Sequence, residues 1–259
     1  MDNEQVRAEA LRALRRSVAD YIGFLAASGV RAVARPSPSG PAAPAGRAAP
    51  APLPSIAADS GGLSTPPADE GLPLTLEEVS RELGDCTRCK LHAGRTHIVF
   101  GEGNPKAEIL FIGEGPGEEE DKQARPFVGR AGKLLTDIIQ KGMKLRREDV
   151  YIANIVKCRP PGNRDPEKDE IAACQPFLMK QIRAIGPKVI VTLGRPATSL
   201  LLGRSVQITR LRGQWQEFYG IPLMPTYHPA FVLRQYTPKN RGDVWEDMRK
   251  VLEKIGKPH

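Results

Sequence analysis

Residues 108–121, EILFIGEGPGEEED, decide the fold. Their first five residues form a short, largely apolar run, and the next nine break at once into glycine, proline and acid. A run of that length bounded by turn formers reads as a buried strand emptying into a loop. Two further runs have the same character, 150–156 (VYIANIV) and 188–193 (KVIVTL), and helical spacing of apolar residues marks 129–141, 166–185 and 195–202 as helices between them. Strand and helix in alternation predict an α/β fold, a three-layer α/β/α arrangement with a central, mainly parallel sheet, because each parallel crossover lays its helix over one face. Two more strands at 213–219 and 221–225 complete the pattern, with a closing helix at 243–255 carrying Val244, Met248, Val251, Leu252 and Ile255. Ligands of open α/β sheets bind beyond the carboxyl ends of the strands. Attention therefore falls on GEGPGEEED from Gly113, KCRPPGNRD from Lys157 and TYHPAFVLR from Thr226.

Working outward, the globular composition holds over 73–259, the expected domain. Ahead of it, 31–72 is a Pro/Ala-rich flexible linker, with nine of the chain's 24 prolines between Pro36 and Pro67. Residues 1–30 predict an amphipathic helix whose apolar stripe runs through Val6, Leu11, Leu14, Val18, Tyr21, Ile22 and Leu25. That stripe either docks on the main domain or meets a protein partner. The start of the chain has early acids and no uninterrupted apolar stretch, unlike a secretory signal, and no run suits a membrane. A cytoplasmic protein is expected. A net charge of +8 and a pI near 9.4 favour a polyanionic partner, since neutralising phosphates releases counterions.

All four cysteines fall in the domain, as Cys86-x2-Cys89, Cys158 and Cys174. In a reducing compartment such thiols are available for metals. Four thiolates complete one site; a zinc ribbon normally presents two close pairs, whereas iron-sulfur clusters tolerate wider spacing, so the spacing leaves both open.

The loop after the first strand fails two familiar tests. A dinucleotide fingerprint needs a third glycine at Glu118, and a Walker loop ending at Lys133 needs glycine at Phe127 and Ser or Thr at Leu134. What remains brings backbone amides near a ligand and offers carboxylates to polarise a water. Glu118 and Glu119 read as solvated, leaving Glu114 and Glu120 as the candidates for chemistry.

Taken together, the GEGPGEEED loop, 125–132 (RPFVGRAG), 154–161 (NIVKCRPP), the cysteine spacing and 228–234 (HPAFVLR) resemble the family 4 uracil-DNA glycosylases over roughly 75–256. The resemblance implies a uracil-DNA glycosylase-like fold and a monomeric enzyme. Its implied reaction is hydrolysis of the N-glycosidic bond of deoxyuridine in single- or double-stranded DNA, releasing uracil and leaving an abasic site. It also implies a 4Fe-4S cluster on Cys86, Cys89, Cys158 and Cys174. Carried onto matching positions, Phe127 stacks on the extruded base and Asn154 reads its amide edge. His228 hydrogen-bonds O2, Glu114 positions water with Glu120 supporting the loop, and Gly115 admits the sugar. Ala230, Phe231, Val232 and Leu233 are the apolar wedge, and Arg234 anchors the strand. Two rivals from other classes are a non-catalytic iron-sulfur DNA-binding module associated with replication proteins and a metal-dependent phosphohydrolase on Glu118–Asp121.

Overall fold

The computed structural model describes residues 74–258; the helix expected at 1–30 and the linker expected at 31–72 lie outside the described residues. A six-stranded mixed sheet forms the centre, in the order β1-β3-β2-β4-β6-β5. Its strands are β1 (Glu102–Gly103), β2 (Ile109–Gly113), β3 (Tyr151–Asn154), β4 (Val189–Leu193), β5 (Gln216–Phe218) and β6 (Ile221–Thr226). The inner four, β3, β2, β4 and β6, run parallel, and antiparallel β1 and β5 close the edges.

Continuous apolar runs are what a sheet buried on both faces requires, and the strands divide their side chains by period two. One face carries Leu110, Ile112, Ala153, Ile190 and Leu223, packed beneath Leu178, Ile182 and Ile185. The other carries Ile109, Phe111, Ile152, Val189, Val191 and Met224, covered by Leu135, Ile139, Val244, Met248, Val251 and Leu252.

Eight α-helices surround the sheet among the described residues: α1 (Leu76–Leu83), α2 (Glu118–Gln123), α3 (Arg130–Asp137), α4 (Lys168–Ile185), α5 (Arg195–Leu201), α6 (Ile208–Leu211), α7 (Pro229–Arg234) and α8 (Pro238–Lys254). Thr75 and Glu78 close a reciprocal capping box that starts α1. The helix expected at 129–141 is α3 followed by a wide turn, Ile138–Gly142.

Several sequence expectations need correction. The acidic end of the GEGPGEEED loop is helical, as α2, because four carboxylates in a first turn complement the helix dipole. HPAFVLR is also a helix, α7, with His228 as its N-cap and Pro229 in the first turn. The closing helix begins at Pro238 rather than 243, since Thr237 caps it by accepting the Asn240 N–H. The strand expected at 213–219 shrinks to Gln216–Phe218: Gly213, at φ +73°, donates its N–H to the Pro225 carbonyl and leaves strand geometry.

Candidate active site

Three strand ends meet at one edge of the sheet. Gly113 ends β2 opposite Asn154, the last residue of β3, and His228 follows β6 by two residues. Gly113 is the floor on which the others converge. A Cβ there would lie 2.4 Å from the Phe127 ring and 2.5 Å from Asn154 Oδ1, so only glycine leaves both in place. The Phe127 and His228 ring centroids are 5.7 Å apart and tilted by 37°. Phe127, Asn154 and His228, 101 positions apart at the extremes, thus line one recess.

Phe127 sits at φ +52°, an unfavourable conformation for an aromatic residue that its surroundings impose. Glu120 Oε1 accepts the backbone N–H groups of Val128 at 2.9 Å and Gly129 at 2.8 Å. Arg147 donates to the Pro126 carbonyl at 2.6 Å and to Thr136 Oγ1 at 3.0 Å. Gly132 of α3 presses on the Phe127 backbone. Glu120 therefore acts on the position of Phe127, while Glu118 and Glu119 stay exposed and pair with Lys122. Sequence reading missed Arg147 and the packing role of Gly132; one Arg in a basic segment and one Gly in a helix carry no local signal of such contacts.

Asn154 is fully buried, yet its Oδ1 has no hydrogen-bond partner. A buried acceptor left unpaired costs about 1–3 kcal/mol, so an N–H donor brought into the recess would recover that energy. His228 Nδ1 accepts the Ala230 N–H at 3.1 Å, which in the neutral ring leaves the proton on Nε2. Burial, aided by Arg234, lowers the His228 pKa to about 4, so the imidazole is neutral at physiological pH. Gly194, at φ +87°, makes room behind it, where a Cβ would approach His228 Cβ to 3.0 Å.

Glu114 follows β2 at the same edge. Burial, and then the neighbouring Asp165 carboxylate, raise its pKa to about 7 against the opposing pull of Arg195. Gly115 packs close to Val156, whose Cγ2 would lie 2.9 Å from a Cβ.

Along α7 the helix sorts the residues expected to enter DNA. Arg234 is exposed, and Ala230, Phe231 and Leu233 are partly exposed. Phe231 also contacts the Tyr227 ring at 4.8 Å between centroids. Val232 is a correction: the helix turns it inward to 2% exposure, in the core with Val244 and Met248.

Cys86, Cys89, Cys158 and Cys174 line one cavity with Leu83, Arg88, Ile98, Lys157 and Ala173. Arg88 Nη1 lies 3.3 Å from Cys86 Sγ, and Arg95 Nη1 lies 3.4 Å from Cys158 Sγ. Burial pushes the Cys158 thiol up to about 11, with Arg95 opposing, and burial also raises Cys174. Among the described residues, no group of three or more His, Cys, Asp or Glu closes on a single ion position. The four cysteines share the lining of one cavity, and soft thiols with cations beside them are the donor set that an anionic iron-sulfur centre takes.

Fold and site together define a class: a doubly covered, mainly parallel α/β protein that gathers Phe127, Asn154 and His228 at the strand ends and lines a separate cavity with its four cysteines. Residues 100–249 match the family model described as the uracil DNA glycosylase superfamily. A type-4 uracil-DNA glycosylase of Sulfurisphaera tokodaii is 50% identical over 187 residues, covering 69% of this chain and 84% of the relative. One from Thermotoga maritima is 50% identical over 70% of this chain and 95% of its own. A third, from Saccharolobus solfataricus, is 50% identical over 70% of this chain and 86% of its own. The chain belongs to the uracil DNA glycosylase superfamily, grouped with its type-4 members.

Proposed function

We propose that this chain is a monofunctional uracil-DNA glycosylase that hydrolyses the bond between uracil and deoxyribose in DNA, leaving an abasic site for base excision repair. The observation that carries the reading is the unpaired Asn154 Oδ1 on the floor of a recess walled by Phe127 and His228. Uracil supplies the complement: its N3–H donates to that oxygen and its O4 accepts from the Asn154 amide. A base must leave the duplex to arrive there, and Phe127 offers a ring face for it.

As the C1′–N1 bond breaks, its electron pair moves into the uracil ring and positive charge develops on the sugar. Neutral His228 donates Nε2–H to the O2 on which negative charge gathers, and being uncharged it gives no proton away early. Preorganised donors of this kind contribute about 3–4 kcal/mol. Ionised Glu114 faces the opposite charge, orients a water toward C1′ and takes its proton as the new C–O bond forms. Glu120 is a positioning residue, holding the backbone that carries Phe127. Gly115 leaves space for the sugar. Arg234 meets a phosphate, and Ala230, Phe231 and Leu233 meet the gap left by the base.

Cys86, Cys89, Cys158 and Cys174 would hold a 4Fe-4S cluster. Bound there as thiolate ligands, the four cysteines would tie together segments far apart in the chain. The protein is proposed to act as a cytoplasmic monomer on single- or double-stranded DNA.

The test is incubation of anaerobically purified protein, in EDTA, with a labelled duplex holding one U opposite G, followed by alkali and a sizing gel. Breakage only after alkali, and much slower in His228→Ala, is expected. No breakage from iron-loaded protein would sink the reading.

A further inference from the structure

Lys157 is the one lysine fully withdrawn from solvent among the described residues, at 1% exposure. It lies between the two sites. Its Nζ donates to the Asn154 carbonyl at 2.8 Å, at the end of β3, and Lys157 is among the residues that line the cavity shared by the four cysteines. No carboxylate forms an ion pair with it among the described residues. A buried ammonium without a counter-ion is costly, and one carbonyl does not offset that cost. Arg88 and Arg95, by contrast, hold their cysteine contacts while also bonding to backbone carbonyls near the surface. A negative charge inside the cavity would offset that cost.

We propose that Lys157 is the counter-charge of the cysteine-held centre and, through the Asn154 carbonyl, a positioning residue that joins that centre to the base pocket. The inference rests on the cluster assignment above. Four thiolates around an iron-sulfur core of lower positive charge leave a net anion, and Lys157 is the cation that meets it out of contact with water. In the same position it pins the carbonyl of the residue whose side chain reads the base. Emptying the cavity would leave the ammonium without its partner and loosen Asn154.

Two substitutions separate charge from hydrogen bond. Lys157→Gln keeps a donor for the Asn154 carbonyl and removes the charge; Lys157→Met removes both. Iron and sulfide content and the visible absorbance of the anaerobic proteins are followed during challenge with an iron chelator. Release at least tenfold faster from Lys157→Gln than from wild type is expected. Lys157→Met should release iron as fast and, while still loaded, excise uracil more slowly than Lys157→Gln. Iron retention by Lys157→Gln equal to wild type would overturn the counter-charge. Should neither variant fold, wild type carrying lysine labelled with 15N at Nζ alone and oxidised to a paramagnetic state gives the second reading by electron-nuclear double resonance: a coupling to the labelled nitrogen is expected, and its absence overturns the proposal. Wild type isolated without iron and sulfide would instead sink the cluster assignment itself, a separate outcome.

Discussion

Gly132 lies so close beneath Phe127 that a Cβ on it would fall 1.9 Å from the Phe127 carbonyl carbon and oxygen. In an exposed helix, Gly→Ala ordinarily stabilises by about 1 kcal/mol through backbone entropy. Here the opposite sign is expected, because the atoms in the way are backbone and cannot swing aside. Gly132→Ala should destabilise by about 1–3 kcal/mol, the usual range for overpacking. It should also lower uracil excision at temperatures where the variant remains folded. Urea unfolding and the alkali assay check both; a rise in stability would show that the Phe127 loop yields.

Glu120 holds the same loop by two charge-assisted bonds to backbone amides. Glu120→Ala leaves the Val128 and Gly129 N–H groups without that acceptor and is expected to cost about 1.5–3 kcal/mol. Since Glu120 acts through Phe127, kcat should fall while the pH profile keeps its shape. A displaced acidic limb would place Glu120 in the chemistry instead.

At Asn154 stability and function should part. Asn154→Ala removes an acceptor that is unpaired in the free protein, so thermal stability should change little despite full burial. Excision should fall by about 10- to 150-fold, corresponding to one or two base hydrogen bonds at 1.5–3 kcal/mol. A large loss of melting temperature would mean that Oδ1 is satisfied in solution.

The pH dependence follows from Glu114 and His228. Glu114 is needed ionised and has a pKa of about 7, so kcat/KM should rise with pH through about 7 and level off above it. His228, lowered to about 4, adds no limb in that window. The same shift bears on stability. Below the ordinary value of 4.5, Glu114 is neutral both folded and unfolded; between 4.5 and about 7 only the unfolded chain ionises it, and stability declines as pH rises. Glu114→Gln should therefore raise the melting temperature at pH 8 and leave it unchanged near pH 4, while removing the activity. Differential scanning calorimetry at the two pH values reads the sign.

His228→Ala is expected to lower kcat by about 100- to 1,000-fold, as removal of one oxyanion donor does elsewhere. Substrate binding should change far less, since the bond strengthens only as charge reaches O2. Single-turnover kinetics separate the two.

Sequence alone determined a good deal of this protein. The runs at 108–112, 150–156 and 188–193 announce strands buried on both faces because continuous apolar character is a local property, and the inner strands form within a residue or two of those limits. The positions after the strands were equally legible, since the carboxyl ends of parallel strands lie together whatever the helices do. Side-chain direction was not. HPAFVLR has no long apolar period, so neither its helix nor the inward turn of Val232 is visible until α7 packs on the core. The left-handed backbone of Phe127, the grip of Glu120 and Arg147 on its loop, and the placement of Lys157 between pocket and cavity were decided by the tertiary structure. Each depends on groups brought together from separate parts of the chain, where packing density and the need to satisfy buried polar atoms, rather than local propensity, set the outcome.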